Sequence, residues 1–356
     1  MPTSITTKHS IISPEGPTYF IADIAANHDG SLSKALELIE RAAEAGANAA
    51  KFQHFRAESI VSDYGFRRLG SNIAHQAQWK ESVFDVYKAA ELNIEWTESL
   101  LAKCDEVSID FFSAVYDLKY IDYLEEKMPF FKIGSGDIDW WQAIDRLVIT
   151  GKPIFLATGA SYESEVSSTV ARIPAQTKIV LMQCNTNYTA SDENYKYLNL
   201  KVLETYKHKY PNVILGLSDH TDTADVILGA VALGARVIER HFTDDRTLQG
   251  PDHKFSLDPR MWGDMVNRVR RLEIALGSGV KIVEENEIQS RIVQRRAIRA
   301  ARDLKEGEIL SDELLVCLRP CPKEGLSPAY MDELIGKRAL TDLDAHEVIP
   351  RDWLTH

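Results

Sequence analysis

Two lysines stand inside otherwise apolar runs, Lys51 in NAAKFQ and Lys132 in FFKIGS. A buried ammonium needs an anion beside it. One account pairs both with internal carboxylates such as Glu239 or Asp23. The other has them grip a phosphate and a carboxylate, helped by the small donors Ser135, Thr158 and Ser218 and by the amides of Gly134 and Gly136; the number of donors favours it. His220 and His241 close two neighbouring runs: one account makes them ordinary satisfied polar residues, the other has both imidazoles reach one divalent ion while leaving positions open for water or substrate. Held by only two protein ligands, such an ion would act as a Lewis acid and not as a structural staple. Cys184 has no histidine placed by sequence to activate it and belongs with the core. The loop GPDHKFS (250–256) adds Asp252, His253 and Lys254 after a Gly-Pro turn.

The elements that must position these residues follow from periodicity. Short β-rich runs at 19–25, 48–53, 110–115, 130–135, 153–159, 178–184, 213–219 and 237–243 are each followed by a helical pattern. Eight βα units in about 260 residues predict a closed α/β architecture, the (β/α)8 TIM barrel, with strands apolar on both faces. A doubly wound sheet would carry a GxGxxG turn after its first strand, and none is present. In such a barrel, chemistry sits at the C-terminal strand ends. Here those ends hold Asn27, His28 and Asp29; Lys51 and Gln53; Ser113 and Tyr116; Lys132, Ser135 and Asp137; and Thr158. The last three add Asn185, Thr186, Asn187 and Tyr188; Ser218, Asp219 and His220; and Glu239 with His241.

Residues 1–277 are assigned to the barrel, the polar stretch 278–293 to a linker, and 294–356 to a small β-rich domain with strand-like runs in RAIRAA, around Leu310 and Leu314, in RALT and in EVIP. The chain has 356 residues, and 41 basic against 53 acidic residues give a net charge of −12 without a basic block, which disfavours nucleic acid and anionic lipid as partners. Four irregularly spaced cysteines suit a reducing compartment. With no apolar leader or membrane-length run, the expected location is the cytoplasm.

Segments along the whole chain resemble the sialic acid synthase family, the phosphoenolpyruvate-dependent synthases of N-acetylneuraminate and related nonulosonates. They are ADIAANHDGS, AGANAAKFQHF, FFKIGSGD, TGAS, CNTNY, GLSDHT, ALGARVIERHFT, GPDHKFSLDP, LRPCPKEGLSP and IGKRAL. The resemblance implies a barrel followed by an antifreeze-like (SAF, β-clip) domain, in a domain-swapped homodimer. The reaction it implies joins phosphoenolpyruvate to the open-chain aldehyde of a 2-acetamido sugar, with attack of water at C2 and loss of phosphate by C–O cleavage.

Carried across by residue, Lys51, Lys132, Ser135 and Ser218 match phosphoenolpyruvate contacts, and Thr158 and Thr186 are placed with them. Asp23, Gln53, Asn72, Tyr188 and Asp252 fall on the sugar side. His220 and His241 match ligands of a divalent metal, manganese, magnesium or cobalt. Asp137 and Glu239 match acidic residues that move a proton or orient water, and Arg319 matches an arginine inserted into the partner's active site. Three departures predict a modified phosphate cradle: Asp23 where the family commonly has Glu, Ala114 and Val115 where it has a hydroxyl residue and Pro, and Ala157 where it has Ser. Two other functions compete: a Schiff-base aldolase or lyase using pyruvate and one of the lysines, and a non-enzymatic sugar- or ice-binding protein.

Overall fold

The computed structural model describes residues 3–69, 79, 81–189 and 191–355, arranged as two compact units, Met1–Gly277 and Ser278–His356. The first unit opens with a two-stranded hairpin, Ile5–Thr6 (β1) and Ile11–Ile12 (β2), that the sequence patterns did not suggest. Ile5 and Ile12 are buried in the main core. Thr7 and Tyr19 both donate to Asp110 Oδ2 at 2.7 Å, which ties the hairpin to the N-terminal end of the barrel.

Eight parallel strands then close on themselves: Tyr19–Asp23 (β3), Ala49–His54 (β4), Asp110–Val115 (β5), Phe131–Ile133 (β6), Ile154–Ala157 (β7), Ile179–Cys184 (β8), Ile214–Asp219 (β9) and Val237–His241 (β10), with β10 returning to β3. All eight expected runs are strands. Every residue in them is buried except Gln53, as befits a parallel sheet covered by helices outside and packed inside. The helices behave as their stripes require. Leu32–Glu44 buries Ala35, Leu38, Ile39 and Ala42, one face of a 3.6-residue period, and is capped by the Ser31 hydroxyl accepting from the Lys34 amide. Pro259–Leu276 begins on an Asp258 cap with proline in its first turn and buries Trp262, Met265, Val266 and Val269.

In the second unit, Ala297–Ala300 (β11) pairs antiparallel with Leu315–Leu318 (β12) over a core of Ile298, Leu304, Leu310, Leu326, Leu334, Ile349 and Trp353. The runs RALT and EVIP form isolated bridges and not strands: Arg338 pairs with Ile309, Val348 with Arg299 and Pro350 with Gly325. Residues 278–293 are exposed throughout and carry a 3-10 turn, Glu285–Glu287, and most of a helix, Ile288–Gln294. Among the described residues, no helix is long and apolar enough to cross a membrane.

Candidate active site

Side chains alternate along each strand, and parallel register lines up those that point inward. Cys184, Ser218 and Glu239 fall in one row across β8, β9 and β10. His241, Asp23, Lys51 and Phe112 fall in another across β10, β3, β4 and β5. Lys132 stands in register with Ala114 on one side and Phe155 on the other. The rows open into a cavity of about 350 Å³ at the C-terminal strand ends, whose polar wall is completed by Gln53, Ser135, Asp137, Tyr188, His220 and Asp252.

At its floor, Lys132 Nζ lies 2.6 Å from Glu239 Oε1, and Lys51 Nζ lies 3.7 Å from the same oxygen and 2.5 Å from Asp23 Oδ2. Ser218 also donates to Glu239 Oε1, at 3.2 Å. The lysines thus pair with the carboxylates that the first account named, yet both also line the cavity. Burial works against the Lys51 ammonium, but Asp23 and Glu239 outweigh it and hold its pKa above the ordinary value. Burial likewise opposes the Glu239 carboxylate, and the two lysines overcome it and hold the pKa well below the usual range. Asp23 is the weaker acid of the network: burial, with the Glu239 charge nearby, raises its pKa despite Lys51. Burial pushes Asp252 up to about 7, and burial with Asp139 pushes Asp137 up to about 6.

The two histidines meet at the same mouth, ring centroids 5.5 Å apart. Burial, then the neighbouring imidazole, lowers His220 to about 4; burial, then Lys51, lowers His241 to about 3. Both are neutral rings at pH 7, the form that ligates a metal. His220 Nδ1 donates to the Asn185 carbonyl at 2.9 Å, which leaves the Nε2 lone pair for a ligand. His241 Nδ1 is buried without a hydrogen-bond partner, 3.8 Å from Asp252 Oδ2. Two orphaned carboxylate oxygens, Asp23 Oδ1 and Glu239 Oε2, share the site. The two neutral imidazoles offer ring nitrogens of the kind that suit a divalent cation. Among the described residues, no group of three or more His, Cys, Asp or Glu is arranged to hold a metal ion, which leaves the two imidazoles as the ligands on offer.

Not every expected residue is among those that line this cavity. Thr158 points out of the barrel: it donates to the Met182 carbonyl at 3.1 Å and accepts from Tyr206 on the helix Val202–Lys209 at 3.0 Å, while Ala157, its inward neighbour, lines the cavity. Thr186 is half-buried outside the cavity lining, and its methyl sits where a side chain on Gly159 would go. Arg319 belongs to the second unit and is exposed there. Asn72 lies outside the described residues. Of the strand-end polar residues, Asn27 pins Phe242 and Ser256, and Ser113 bonds His54 at 2.7 Å behind the barrel. Asp219 pairs with the buried Arg240 at 3.3 Å. In the loop after β10, Asp252 reaches the cavity, whereas His253 is buried between Thr243 and Asp29 and serves the loop's own architecture.

Sequence reasoning missed a second wall. Phe55, Ile60, Val86, Tyr87 and Ala90 line the cavity together with Trp79. The helix Val83–Ala89 turns Val86 and Tyr87 inward, while Ser82 caps it by accepting from the Asp85 amide and Lys88 pairs with Glu91 outside. Its inward face carries an apolar stripe, which from sequence alone is indistinguishable from core.

A closed parallel barrel whose cavity at the strand ends gathers two lysines, two histidines and four carboxylates has the layout of a TIM-barrel active site. The chain belongs to the NeuB family, matched over residues 38–281, and residues 295–354 match the SAF domain. It is similar to the N,N'-diacetyllegionaminic acid synthase of Campylobacter jejuni, 32% identical over 337 residues that cover 93% of this chain and 98% of that protein. Human N-acetylneuraminate-9-phosphate synthase is 29% identical over 335 residues, covering 94% of this chain and 91% of the other. The solved N-acetylneuraminic acid synthetase of Leptospira borgpetersenii, a complex with citrate, superposes with a TM-score of 0.70 at 30% identity, over 82% of this chain and 95% of that one. The family expected from the motifs is the one found.

Proposed function

We propose that this chain is a nonulosonate synthase that condenses phosphoenolpyruvate with the open-chain aldehyde of a 2-acetamido sugar and water, giving a 2-keto-3-deoxy acid and phosphate. The observation that carries this is the pair of cavity-lining lysines flanking the single Glu239 oxygen, in a chain of the NeuB family. Both lysines are already matched by carboxylates, so a ligand that is nearly a trianion at neutral pH needs further positive charge. A divalent ion held by His220 and His241 would supply part of it and would polarise the acceptor's aldehyde oxygen. Arg319 of a second copy would supply the rest, through a planar set of donors.

In the proposed course, the C2=C3 electrons of phosphoenolpyruvate form the new bond from C3 to the aldehyde carbon. Water adds at C2, and the resulting hemiketal phosphate collapses with cleavage of the C2–O bond, the electron pair leaving on phosphate. Lys51, Lys132, Ser135 and Ser218 hold the anionic groups in register. Asp137, poised at about 6, is the better base for the attacking water, because Glu239 is kept ionised by two ammoniums and gives up little by staying so. Asp252, in the cavity wall, would return a proton to the new hydroxyl. The apolar wall of Phe55, Val86 and Ala90 suits the methyl group of an acetamido substituent. A Schiff base on Lys51 would require its neutral amine, and Asp23 and Glu239 hold that lysine cationic.

The homodimer forms part of this proposal. Val280, Ile282, Ile288 and Val293 are 53–65% exposed in the second unit, an apolar surface that a second copy would cover. Four free cysteines accord with a cytoplasmic setting. Phosphate release from phosphoenolpyruvate across a panel of acceptor sugars with manganese present tests the proposal. Release dependent on a 2-acetamido sugar is the expected result; release with none of the acceptors contradicts it.

A further inference from the structure

Tyr116 follows β5 and lines the cavity, but nothing in the scheme above uses it. Its ring stands edge-on to Phe55, centroids 6.3 Å apart, and its amide donates to the His54 carbonyl at 3.0 Å. Both contacts fix the direction in which the side chain points. The hydroxyl lies over Gly134: a Cβ on that residue would sit 2.9 Å from Tyr116 Oη and 3.3 Å from Cε1. Gly134 separates Lys132 from Ser135, so the phenol stands directly above the stretch that presents both anion-binding side chains. No hydrogen bond from this hydroxyl to another described residue is formed. Burial, then the Asp137 charge, holds its pKa well above the ordinary value, so it remains a donor. Around Lys132 there is no competing hydroxyl on the strands in register, since its neighbours are Ala114 and Phe155.

We propose that Tyr116 is a substrate-binding residue of this site, donating its phenolic proton to the anionic end of phosphoenolpyruvate held by Lys132, and that residue 134 is glycine because the phenol occupies the space of a side chain. The proposal rests on the function given above. Tyr116→Phe keeps the ring and its packing on Phe55 and removes only the donor. A lost hydrogen bond to a charged group should raise both the Michaelis constant and the calorimetric dissociation constant for phosphoenolpyruvate roughly tenfold to a hundredfold. The Michaelis constant for the acceptor and the thermal midpoint should hold.

Gly134→Ala supplies the second arm. With Tyr116 present, the new methyl must push the hydroxyl aside, so phosphoenolpyruvate binding should weaken by a similar factor. In the Tyr116→Phe background, the nearest ring atom stays at 3.3 Å and the same change should cost much less, so the two losses fall short of additive. Unchanged phosphoenolpyruvate constants in Tyr116→Phe, a rise confined to the acceptor constant, or strictly additive losses would overturn the assignment while leaving the proposed reaction standing. Wild-type protein that binds no phosphoenolpyruvate would overturn both.

Discussion

Lys132→Met removes a charge from the cavity floor while keeping the side chain's length, and the structure says what should follow. Glu239 loses a partner at 2.6 Å but keeps Lys51 at 3.7 Å and the Ser218 hydroxyl at 3.2 Å. Breaking a buried ion pair costs about 3–5 kcal/mol when the remaining charge is stranded. With those two partners left, the lower end applies, about 3 kcal/mol, or several degrees in the melting temperature of a unit this size. Separately, loss of a charge-assisted contact should weaken phosphoenolpyruvate binding on the order of a hundredfold, about 2.7 kcal/mol at 1.36 kcal/mol per decade. The two effects come apart in the double variant Lys132→Met with Glu239→Gln. Removing the stranded carboxylate should restore most of the stability, because Lys51 still has Asp23 at 2.5 Å. Phosphoenolpyruvate affinity, read by calorimetry on folded protein, should stay low. Wild-type affinity in the single variant, or its recovery in the double, would show that Lys132 serves only to neutralise Glu239.

Chelation should abolish turnover and manganese, magnesium or cobalt should restore it, with His241→Ala lowering metal affinity, measured by titration, far more than thermal stability; full activity after exhaustive chelation is the contrary result. Asp137, with a folded pKa raised from 3.8 to about 6, contributes stability that is complete below its ordinary value and lost as pH climbs through 6. Asp137→Asn should therefore melt above the wild type at pH 8 but level with it at pH 4, and the limb of the rate profile that rises near pH 6 should vanish. An equal difference in melting temperature at both pH values counts against the assignment. Mixing inactive Arg319→Ala chains with inactive Lys132→Met chains should return activity approaching half the wild-type value per hybrid dimer, since one site would carry both lesions and the other neither. Proven chain exchange without recovery would place Arg319 in its own chain's site or in none.

The barrel was legible because parallel strands buried on both faces must be apolar runs, and each lapse from that rule carries information. Lys51, Lys132 and Glu239 are such lapses, and all three meet at the floor. Residue type alone puts Thr158 in the cavity; the alternation of side chains does not. Ala157 ends β7 facing the cavity, and Thr158, the next residue, turns to the helices, where Tyr206 holds it. Phe55, Val86 and Tyr87 left no mark in the sequence, since an apolar side chain facing a substrate cavity is written with the same letters as one facing the core. The N-terminal hairpin escaped because its strands are two residues each, too short for any period. Tyr116 was visible as a polar strand end, but its closeness to Gly134 depends on how β5 and β6 lie side by side, which no local pattern encodes.

The central claim is that this site joins phosphoenolpyruvate to an aldehyde and expels phosphate by breaking the carbon–oxygen bond. Phosphoenolpyruvate labelled with oxygen-18 at the bridging position, incubated with manganese and an acceptor that supports turnover, tests it most directly. The label should leave entirely with phosphate, while the new 2-keto group of the sugar acid takes its oxygen from solvent water. Phosphate free of label, with the bridging oxygen retained in the product, would mean cleavage at phosphorus and would contradict the account.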